Sequence, residues 1–395
     1  MDSTRAWAEI DLDALARNLG LIRRLLSPSV AIFLVAKADA YGHGAAGLAH
    51  HALRAGAQAI CVTTCNEALE LRRIGVRARI VVLGPAWGDE ALPALRQGVE
   101  IAVPSLELYH ALERTARGAA TPARIHIKVD TGMNRLGMTP EEALHALEDL
   151  RACPFLVLSG LMTHIAATDG ARSESAREQA RRFDELLRRA RELEFLALAG
   201  PNGRFAAHLA NSACVLSGLE PLHDAVRIGA AAYGIAPDPR LLHPELQPVM
   251  SVRTRIVHVQ EVLPGESVGY GGTWRAPRAT RIAVLPVGYD DGLDWRLGNQ
   301  GEVLVRGRRV SIVGRISMDY STIDVTDVPG VGVGERVTLL GSDGGARIRA
   351  EEIASRTGTV PYDVTCSIGK RVERVFIGGG ALPSVAEPLR RAVPG

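Results

Sequence analysis

Cysteine is scarce in this sequence, and neither charge is in excess. The 395 residues include five cysteines, which are scattered and odd in number. A disulfide framework is therefore not expected, and Cys61 and Cys65 lack the second pair that would complete a zinc site. The formal net charge is only +2, which predicts no nucleic-acid or acidic-membrane partner. No metal site is expected.

Long apolar runs are also missing. No stretch of about 18 uncharged apolar residues is present to span a bilayer. The opening segment MDSTRAWAEIDLDAL lacks the basic flank and apolar run of a signal peptide. We therefore expect a cytoplasmic protein without a membrane span. With 395 residues, 47% of them hydrophobic, the chain is long enough to form two domains.

Short apolar runs alternate with helical patterns over the first part of the chain. The predicted strands are 31–36, 59–64, 79–84, 100–104, 124–130, a run within 155–165, 204–210 and 225–230. Strand, helix, strand, repeated about eight times, predicts an α/β fold in the form of a (β/α)8 TIM barrel. A doubly wound open sheet shows the same alternation, so the count alone leaves both architectures open.

The pattern changes near residue 241. Beyond it, β-branched runs bounded by glycine follow one another, and the helix signal is confined to roughly 350–358. This predicts a mainly antiparallel β domain. We therefore divide the chain into a barrel over 10–240 and a C-terminal β domain over 241–395. The strand-like start of the chain, residues 1–9, is a candidate to join that second domain.

Polar side chains gather at the carboxyl ends of the predicted barrel strands, where barrel enzymes build their active sites. These residues are Lys37, Lys128, His164, Asn211, Ser212 and Arg227. Lys37 directly follows an apolar strand. Partial desolvation there would lower its pKa and make its amine a nucleophile toward carbonyl groups. The alternative is a strand-end lysine whose amine simply reaches water.

A glycine-rich segment after Lys37 matches a dinucleotide-binding pattern. Gly42, Gly44 and Gly47 fit GxGxxG, and Glu67 follows about 20 residues on. In that motif the first glycine comes directly after the strand, whereas here KADAY intervenes. An NAD-linked dehydrogenase is therefore the alternative from another class of enzyme.

Motifs along the whole chain resemble those of the alanine racemase family. AKADAYGHGA (36–45) is similar to the family's cofactor-lysine motif. The other matching segments are HIKVDTGMNRLG (126–137), MTHIA (162–166), ANSA (210–213), VRIGAAAYG (226–234), VGYGGTW (268–274), PVGYDDG (286–292), GRISMDY (314–320) and PYDVTCSIGKRV (361–372). The resemblance implies a homodimer that uses pyridoxal 5'-phosphate to interconvert L- and D-alanine, with D-alanine supplied for peptidoglycan.

The resemblance also implies catalytic roles. Lys37 corresponds to the lysine that binds the cofactor covalently and acts as one base, and Tyr270 to the opposite base, supplied by the partner subunit. Racemisation removes a proton from one face of Cα and returns one to the other, which two bases serve better than one. His164 and Arg227 would help the phenol ionise through a hydrogen-bond chain.

Arg227 is further implied to face the pyridine nitrogen of the cofactor. Arginine can only donate hydrogen bonds, so that nitrogen would stay unprotonated and transamination would be disfavoured. The alternative is a strand arginine paired with an acid such as Asp224.

Binding roles follow from the remaining matches. The residues implied to bind the cofactor, besides Lys37, Arg135 and Arg227, are Tyr41, His164, Asn211, Ser212, Gly229, Ala230 and Tyr362. Arg135 would bind the cofactor's phenolic oxygen and the substrate carboxylate, and the partner's Met318 and Asp319 would line the substrate pocket. In the family the lysine matching Lys128 often carries a carbamate, so Lys128 is a candidate for carbamylation.

Two other pyridoxal-phosphate proteins share such a barrel. A decarboxylase would lack the GYGGTW and GRISMDY patterns, and a homeostasis protein would lack the β domain. The sequence leaves open whether serine or other small amino acids are also substrates.

Overall fold

The computed structural model describes residues 5–167, 171, 173–198 and 205–380. Residues 1–4 and 381–395 of the predicted β domain, and residue 204 of the seventh predicted strand, lie outside these ranges. The first half forms a barrel of eight parallel strands. They are β2 (Ala31–Val35), β3 (Ala59–Val62), β4 (Arg79–Val82), β5 (Glu100–Val103), β6 (Ala123–Lys128), β7 (Leu156–Met162), β8 (Ala206–His208) and β9 (Ala225–Ile228).

The barrel is nearly closed. Its strands pair in the order β8-β7-β6-β5-β4-β3-β2-β9, and each overlaps one of the predicted runs. Between β8 and β9, Asp224 N donates to Ala207 O at 3.0 Å and Arg227 N donates to Ala210 O at 2.8 Å. These bonds bring the two end strands together. The predicted barrel is therefore confirmed, and the open doubly wound sheet is excluded.

Helices precede β2 and connect the barrel strands. They are α1 (Leu12–Arg24), α2 (Lys37–Tyr41), α3 (Ala45–Arg54), α4 (Cys65–Arg73), α5 (Gly88–Arg96), α6 (Leu106–Gly118), α7 (Pro140–Asp149), α8 (Glu174–Glu192) and α9 (Ser212–Ser217). Local sequence sets their starts, as where Thr139 and Glu142 form a capping box before α7 with Pro140 at its first position. None of the described helices is long and apolar enough to cross a membrane.

The second half is built mainly from antiparallel strands. They are β10 (Met250–Arg255), β11 (His258–Val262), β12 (Ser267–Val268), β13 (Trp274–Arg275), β14 (Thr280–Leu285), β15 (Glu302–Val305), β16 (Arg308–Ser311), β17 (Ser321–Asp324), β18 (Arg336–Asp343), β19 (Ala346–Ile348) and β20 (Glu373–Ile377). The early strand β1 (Ala6–Asp11) lies in the same sheet, antiparallel to β10 and parallel to β20. The predicted mainly antiparallel domain is confirmed.

The helix content of this half is larger than predicted. Helix α10 (Ala350–Thr357) matches the predicted segment, but α11 (Pro361–Cys366) follows it. The sequence PYDVTC has no apolar period that would indicate a helix, so the expectation of a single helical segment was wrong. The helix starts with proline at its first position, where the missing N–H costs nothing. Its position matters because α11 brings Tyr362 to the barrel mouth.

Candidate active site

A cavity of about 780 Å³ opens at the carboxyl ends of the barrel strands. It is lined by the barrel residues that the sequence singled out and by residues of α11. The predicted site residues in its wall are Lys37, Tyr41, Lys128, Arg135, His164, Asn211, Ser212, Arg227, Gly229, Ala230 and Tyr362. Residues separated by more than three hundred positions therefore meet at one mouth, as the topology of a parallel barrel requires.

Lys37 is held by an unusual turn. The four residues after it, Ala38 to Tyr41, all have positive φ between 51° and 56°, so α2 is a single turn wound in the left-handed sense. Such backbone is unfavourable for residues that carry a β-carbon and persists only where surrounding contacts hold it. Ala38 N donates to the Glu67 carboxylate at 2.6 Å, and Ala45 N donates to Asp39 at 2.7 Å. The lysine is thus fixed at the start of a braced loop.

The glycines after Lys37 serve packing between the two halves of the chain. A β-carbon on Gly42 would lie 2.1 Å from Thr365 O, and one on Gly47 would lie 2.0 Å from Phe376 Cζ. The acid of the dinucleotide pattern is also occupied, because the Glu67 carboxylate accepts N–H bonds from Ala38 and Thr63. These contacts account for the GxGxxG match without a dinucleotide.

Arg227 is buried at the base of the cavity and is surrounded by neutral groups. Its Nη1 donates to His208 Nδ1 at 2.7 Å and to His208 O at 2.9 Å. Its Nη2 donates to the backbone oxygens of Thr163 at 2.7 Å and Leu209 at 3.1 Å, and contacts His164 Nδ1 at 3.1 Å. Burial lowers the pKa of Arg227 to about 10, so it stays cationic at neutral pH.

The alternative role for Arg227 fails. Asp224 accepts a bond from Ala207 N at 2.8 Å and does not pair with the arginine. Within the described ranges, no carboxylate forms an ion pair with Arg227, and no acceptor bonds its Nε–H. Because Arg227 lines the cavity, one donor of a fixed cation remains available to a bound group there.

His164 is a neutral imidazole of defined tautomer. Burial, followed by the charge of Arg227, lowers the pKa of His164 to about 3. Arg227 Nη2 has two hydrogens for three acceptors, so one hydrogen is shared between a carbonyl and His164 Nδ1. Since arginine cannot accept, Nδ1 is the acceptor in this contact and the imidazole proton lies on Nε2. The histidine therefore offers one N–H donor from the side away from Arg227.

Lys128 and Arg135 bring two further cationic side chains to the cavity wall. Burial, with the charges of Arg227 and Arg135, lowers the pKa of Lys128 to about 8. The loop after Lys128 is ordered by Asp130, whose carboxylate accepts from the backbone N–H groups of Gly132 at 2.8 Å and Arg135 at 3.1 Å. The Arg135 guanidinium has no hydrogen-bond or ion-pair partner among the residues described, so it is available to an anion.

A second group of residues in the cavity wall forms a cradle. Ser212 Oγ accepts from the backbone N–H groups of Gly229 at 3.2 Å and Ala231 at 3.3 Å. A β-carbon on Gly229 would lie 2.6 Å from the Tyr41 hydroxyl. The rings of Tyr41 and Tyr362 stand edge to face, with centroids 6.2 Å apart. The hydroxyls of Ser212, Tyr41 and Tyr362, set beside this glycine-containing turn, form a site suited to an anion such as phosphate.

Asn211 plays a supporting role in this cradle. Its side-chain oxygen accepts from Cys214 N at 3.1 Å and so caps α9, while its amide nitrogen donates to Ile165 O at 3.3 Å. The cap fixes the start of the helix that carries Ser212.

Three predicted site residues do not line this cavity. Tyr270, Met318 and Asp319 lie in the C-terminal half, where 72% of Tyr270 and 53% of Met318 is exposed. The Asp319 carboxylate accepts from Arg371 Nη2 at 2.8 Å. They are the three residues expected to serve the site of a partner subunit.

Sequence reasoning missed several polar residues inside the barrel. Below Arg227, hydrogen bonds connect His208, His126 and Glu100, all three buried. One signal was present, because His126 and His208 interrupt predicted apolar runs and Glu100 begins one. Cys366, which also lines the cavity, carried no such signal.

Comparison with known proteins places the chain in a family. Residues 10–237 match the family model for the alanine racemase N-terminal domain, and residues 249–376 match the model for its C-terminal domain. The alanine racemase of Desulfosudis oleivorans is 39% identical over 394 residues, which cover 96% of this chain and 99% of that protein. That of Sorangium cellulosum is 41% identical over 384 residues, covering 93% and 98% of the two chains.

Solved structures agree with these matches. The alanine racemase from Bacillus anthracis with bound L-Ala-P has a TM-score of 0.87 and 35% identity, covering 96% of this chain and 97% of its own. The alanine racemase from Bartonella henselae with covalently bound pyridoxal phosphate has a TM-score of 0.82 and 26% identity, covering 95% and 100%. Joined to the cavity at the barrel mouth, these likenesses show that the chain belongs to the alanine racemase family and is an amino-acid racemase.

Proposed function

We propose that this chain is a homodimeric, pyridoxal-phosphate-dependent enzyme that interconverts L- and D-alanine by two bases and supplies D-alanine for peptidoglycan. One observation carries the proposal. The site residues predicted from the barrel converge on a single cavity, whereas Tyr270, Met318 and Asp319, predicted to act on the partner's site, lie outside it. This division is what a site shared between two chains requires.

The cavity residues fit the cofactor. The turn at Gly229 and the Ala230 amide, with the hydroxyls of Ser212, Tyr41 and Tyr362, would hold its phosphate. Absence of a β-carbon at Gly229 leaves room beside the Tyr41 hydroxyl. Covalently bound pyridoxal phosphate in the Bartonella henselae relative supports the same placement.

Lys37 and Arg227 would hold the rest of the cofactor. Lys37 would form the covalent bond, and the Arg227 Nε–H, which has no acceptor among the described residues, would donate to the pyridine nitrogen. When bound, the cofactor withdraws electrons from the substrate and acidifies its Cα proton. Arg227 cannot yield a proton to that nitrogen, so it restrains electron withdrawal and favours return of a proton to Cα.

The chain's own residues would move the protons. Lys37 takes or returns the Cα proton on one face, and the partner subunit's Tyr270 does so on the other. A phenol has an ordinary pKa near 10 and needs a donor that stabilises its anion. The Nε2–H of His164 is such a donor, since its Nδ1 already accepts from Arg227. Arg135 would bind the substrate carboxylate and hold Cα between the two bases.

The surface of the C-terminal half supports the homodimer. Several large side chains there are exposed in the single chain and are available to a partner. They are Tyr270, Tyr289, Trp295, Met318 and Tyr320. Burial of this surface against the barrel mouth of a second copy would bring Tyr270 to the partner's cavity.

The decisive experiment is an assay of the purified full chain loaded with pyridoxal phosphate. Each L-amino acid is supplied separately, and the D-form, CO₂ and pyruvate are measured. We expect D-alanine to form fastest, without CO₂. The variant Lys37→Ala should lose the visible absorbance of the bound cofactor and at least about three orders of magnitude in rate, because a covalent anchor and a base are removed together. Release of CO₂, or near-normal turnover by K37A, would overturn the proposal.

A further inference from the structure

A directional chain of hydrogen bonds runs through the barrel interior below the cavity. Arg227 Nη1 donates to His208 Nδ1 at 2.7 Å, His208 Nε2 lies 2.9 Å from His126 Nδ1, and His126 Nε2 lies 2.7 Å from Glu100 Oε2. Both imidazoles are fully buried, and Glu100 is 1% exposed. The contacts therefore link the floor of the active site to a carboxylate at the opposite end of the barrel.

The chemistry of the end groups fixes the direction of the chain. Arginine cannot accept, so His208 Nδ1 is an acceptor and its proton sits on Nε2. His126 Nδ1 must then accept from His208, which places the His126 proton on Nε2, facing the Glu100 carboxylate. A carboxylate can only accept, so the last bond agrees with the first. No other pair of neutral tautomers satisfies both ends.

A nearby cation does not change this assignment. Arg79 Nη2 lies 3.3 Å from His126 Nε2, farther than the 2.7 Å that separates Nε2 from Glu100. Arg79 donates instead to Glu100 through Nε at 2.8 Å and to Ser159 O at 2.9 Å. Were His126 Nε2 to accept from Arg79, the reversed chain would place His208 Nδ1–H against Arg227 Nη1–H at 2.7 Å. Two donors cannot meet at that distance.

The barrel is shaped to hold these rings. A β-carbon on Gly160 would lie 2.4 Å from His126 Nδ1, so glycine in β7 makes room for the imidazole. Phe33 packs beside His208 with ring centroids 5.5 Å apart and also stacks under the Arg79 guanidinium. Burial lowers the pKa of both histidines, which keeps them neutral. Residues from β2 and from β4 to β9 either belong to the hydrogen-bond chain or pack around it.

We propose that Glu100, His126 and His208 are positioning residues for the racemase, which fix the guanidinium of Arg227 so that its Nε–H faces the cofactor site. Arg227, which can only donate, and Glu100, which can only accept, together fix the direction of the chain. The negative charge of Glu100 polarises both imidazoles and strengthens each bond toward Arg227. The inference rests on the proposed function, since it assigns these residues a purpose in that same site.

The test uses Glu100→Gln in the full-length holoenzyme. The amide has no charge and can donate as well as accept, so the bond from His126 is weakened, and the chain can reverse only if the bond between Arg227 Nη1 and His208 Nδ1 is given up. The matched control is Glu9→Gln, which removes a carboxylate from an ion pair with the buried Arg253 at 3.1 Å, in the C-terminal sheet. Both variants remove the charge of a carboxylate that is paired with an arginine, but only Glu100 is connected to Arg227.

We expect E100Q to lower kcat about tenfold, as loss of an outer partner of a catalytic group commonly does. Because a displaced Arg227 no longer restrains electron withdrawal, transamination, which releases pyruvate and leaves the amino group on the cofactor, should rise at least about threefold relative to racemisation. KM for alanine should change less than about twofold, since Arg135 is untouched. E9Q should change none of these values. If E100Q and E9Q lose stability alike, and E100Q keeps the wild-type kcat and pyruvate ratio, the chain is structural and the proposal fails.

The tautomers provide a second readout that needs no activity. In the ¹⁵N-histidine-labelled protein, the signals of His126 and His208 are assigned as those that disappear in His126→Gln and in His208→Gln. Both histidines should be Nε2–H tautomers that do not titrate between pH 6 and 9. An Nδ1–H tautomer at either residue would overturn the proposal even where E100Q folds poorly. This measurement does not depend on turnover. If the wild type did not racemise alanine, the proposed function would be refuted, but the direction of the hydrogen-bond chain would not.

Discussion

Gly47 of helix α3 lies directly beneath the ring of Phe376 in strand β20. A β-carbon at Gly47 would be 2.0 Å from Phe376 Cζ and 2.2 Å from Cε2, so only glycine lets the ring approach this helix. The contact ties the loop that follows Lys37 to the last strand of the C-terminal sheet. Nearby, Arg374 Nε donates to Gly42 O at 3.1 Å.

The first prediction concerns this contact. Gly47→Ala should displace the Phe376 ring and lower the free energy of unfolding by about 1–3 kcal/mol, the usual cost of overpacking. Urea unfolding measures it. Gly20→Ala is the control, because nothing lies within 4 Å of a β-carbon there and α1 should gain up to about 1 kcal/mol of helix propensity. Adding Phe376→Ala should remove most of the G47A penalty, and equal penalties with and without the ring would contradict the packing role.

A second prediction tests the shared active site. Lys37→Ala and Tyr270→Phe chains should each be nearly inactive, but a mixed dimer has one site with both lesions and one with neither. With equal amounts and random pairing, about half the dimers are mixed, so activity should recover to about a quarter of wild type. Mass spectrometry must first show that subunits have exchanged. Mixed dimers without activity would show that both residues act within one chain.

The third prediction concerns Arg227. Arg227→Glu should let the pyridine nitrogen of the cofactor gain a proton, which slows racemisation and raises transamination. Pyruvate release from alanine, measured beside D-alanine formation, reports the balance. Arg227→Lys, which keeps the charge but loses the planar fork, should slow racemisation with less pyruvate. Normal racemisation by R227E without pyruvate would exclude contact between Arg227 and the cofactor ring.

The fourth prediction concerns pH and Lys128. Its pKa is lowered to about 8, so the neutral amine becomes abundant as pH rises through that value and is lost below it. Only the neutral amine attacks CO₂, forming an N–C bond as its proton passes to water. Carbon-13 NMR under ¹³C-labelled CO₂ should therefore show a carbamate signal that grows from pH 7 to pH 9. The signal should be absent from Lys128→Gln, and its persistence there would assign the carbamate to another amine.

Much of the molecule could be anticipated before any fold was known. The alternation of apolar runs marked all eight barrel strands, because each strand is buried and bounded by turn residues. The motif around Lys37 and its counterparts downstream indicated the residues of one site. Helix α11 was missed, because PYDVTC has no apolar period and its helix depends on the proline start and the contacts it makes.

Sequence could not separate the two meanings of GHGAAG. A glycine is required wherever a β-carbon would collide with a neighbouring group. The glycine pattern does not identify that neighbouring group. In a dinucleotide-binding fold the approaching group is a phosphate, and in this fold it is the ring of Phe376. Both lead to the same spacing of glycines. The partner is decided by which strand returns to the helix, and β20 lies more than three hundred residues farther along the chain.

The sequence by itself determined where the strands lie along the chain, since local periodicity marks them. It thereby also determined which residues stand at the strand ends. Only tertiary structure decided which polar groups touch. Among the residues that the structure describes, Arg227 has no acid partner, because Asp224 accepts from Ala207 N instead. Arg227 bonds His208 because β8 and β9 meet as the barrel closes. The chain from Arg227 to Glu100 joins four strands, and contacts of that kind leave no period in a sequence because closure of the sheet creates them.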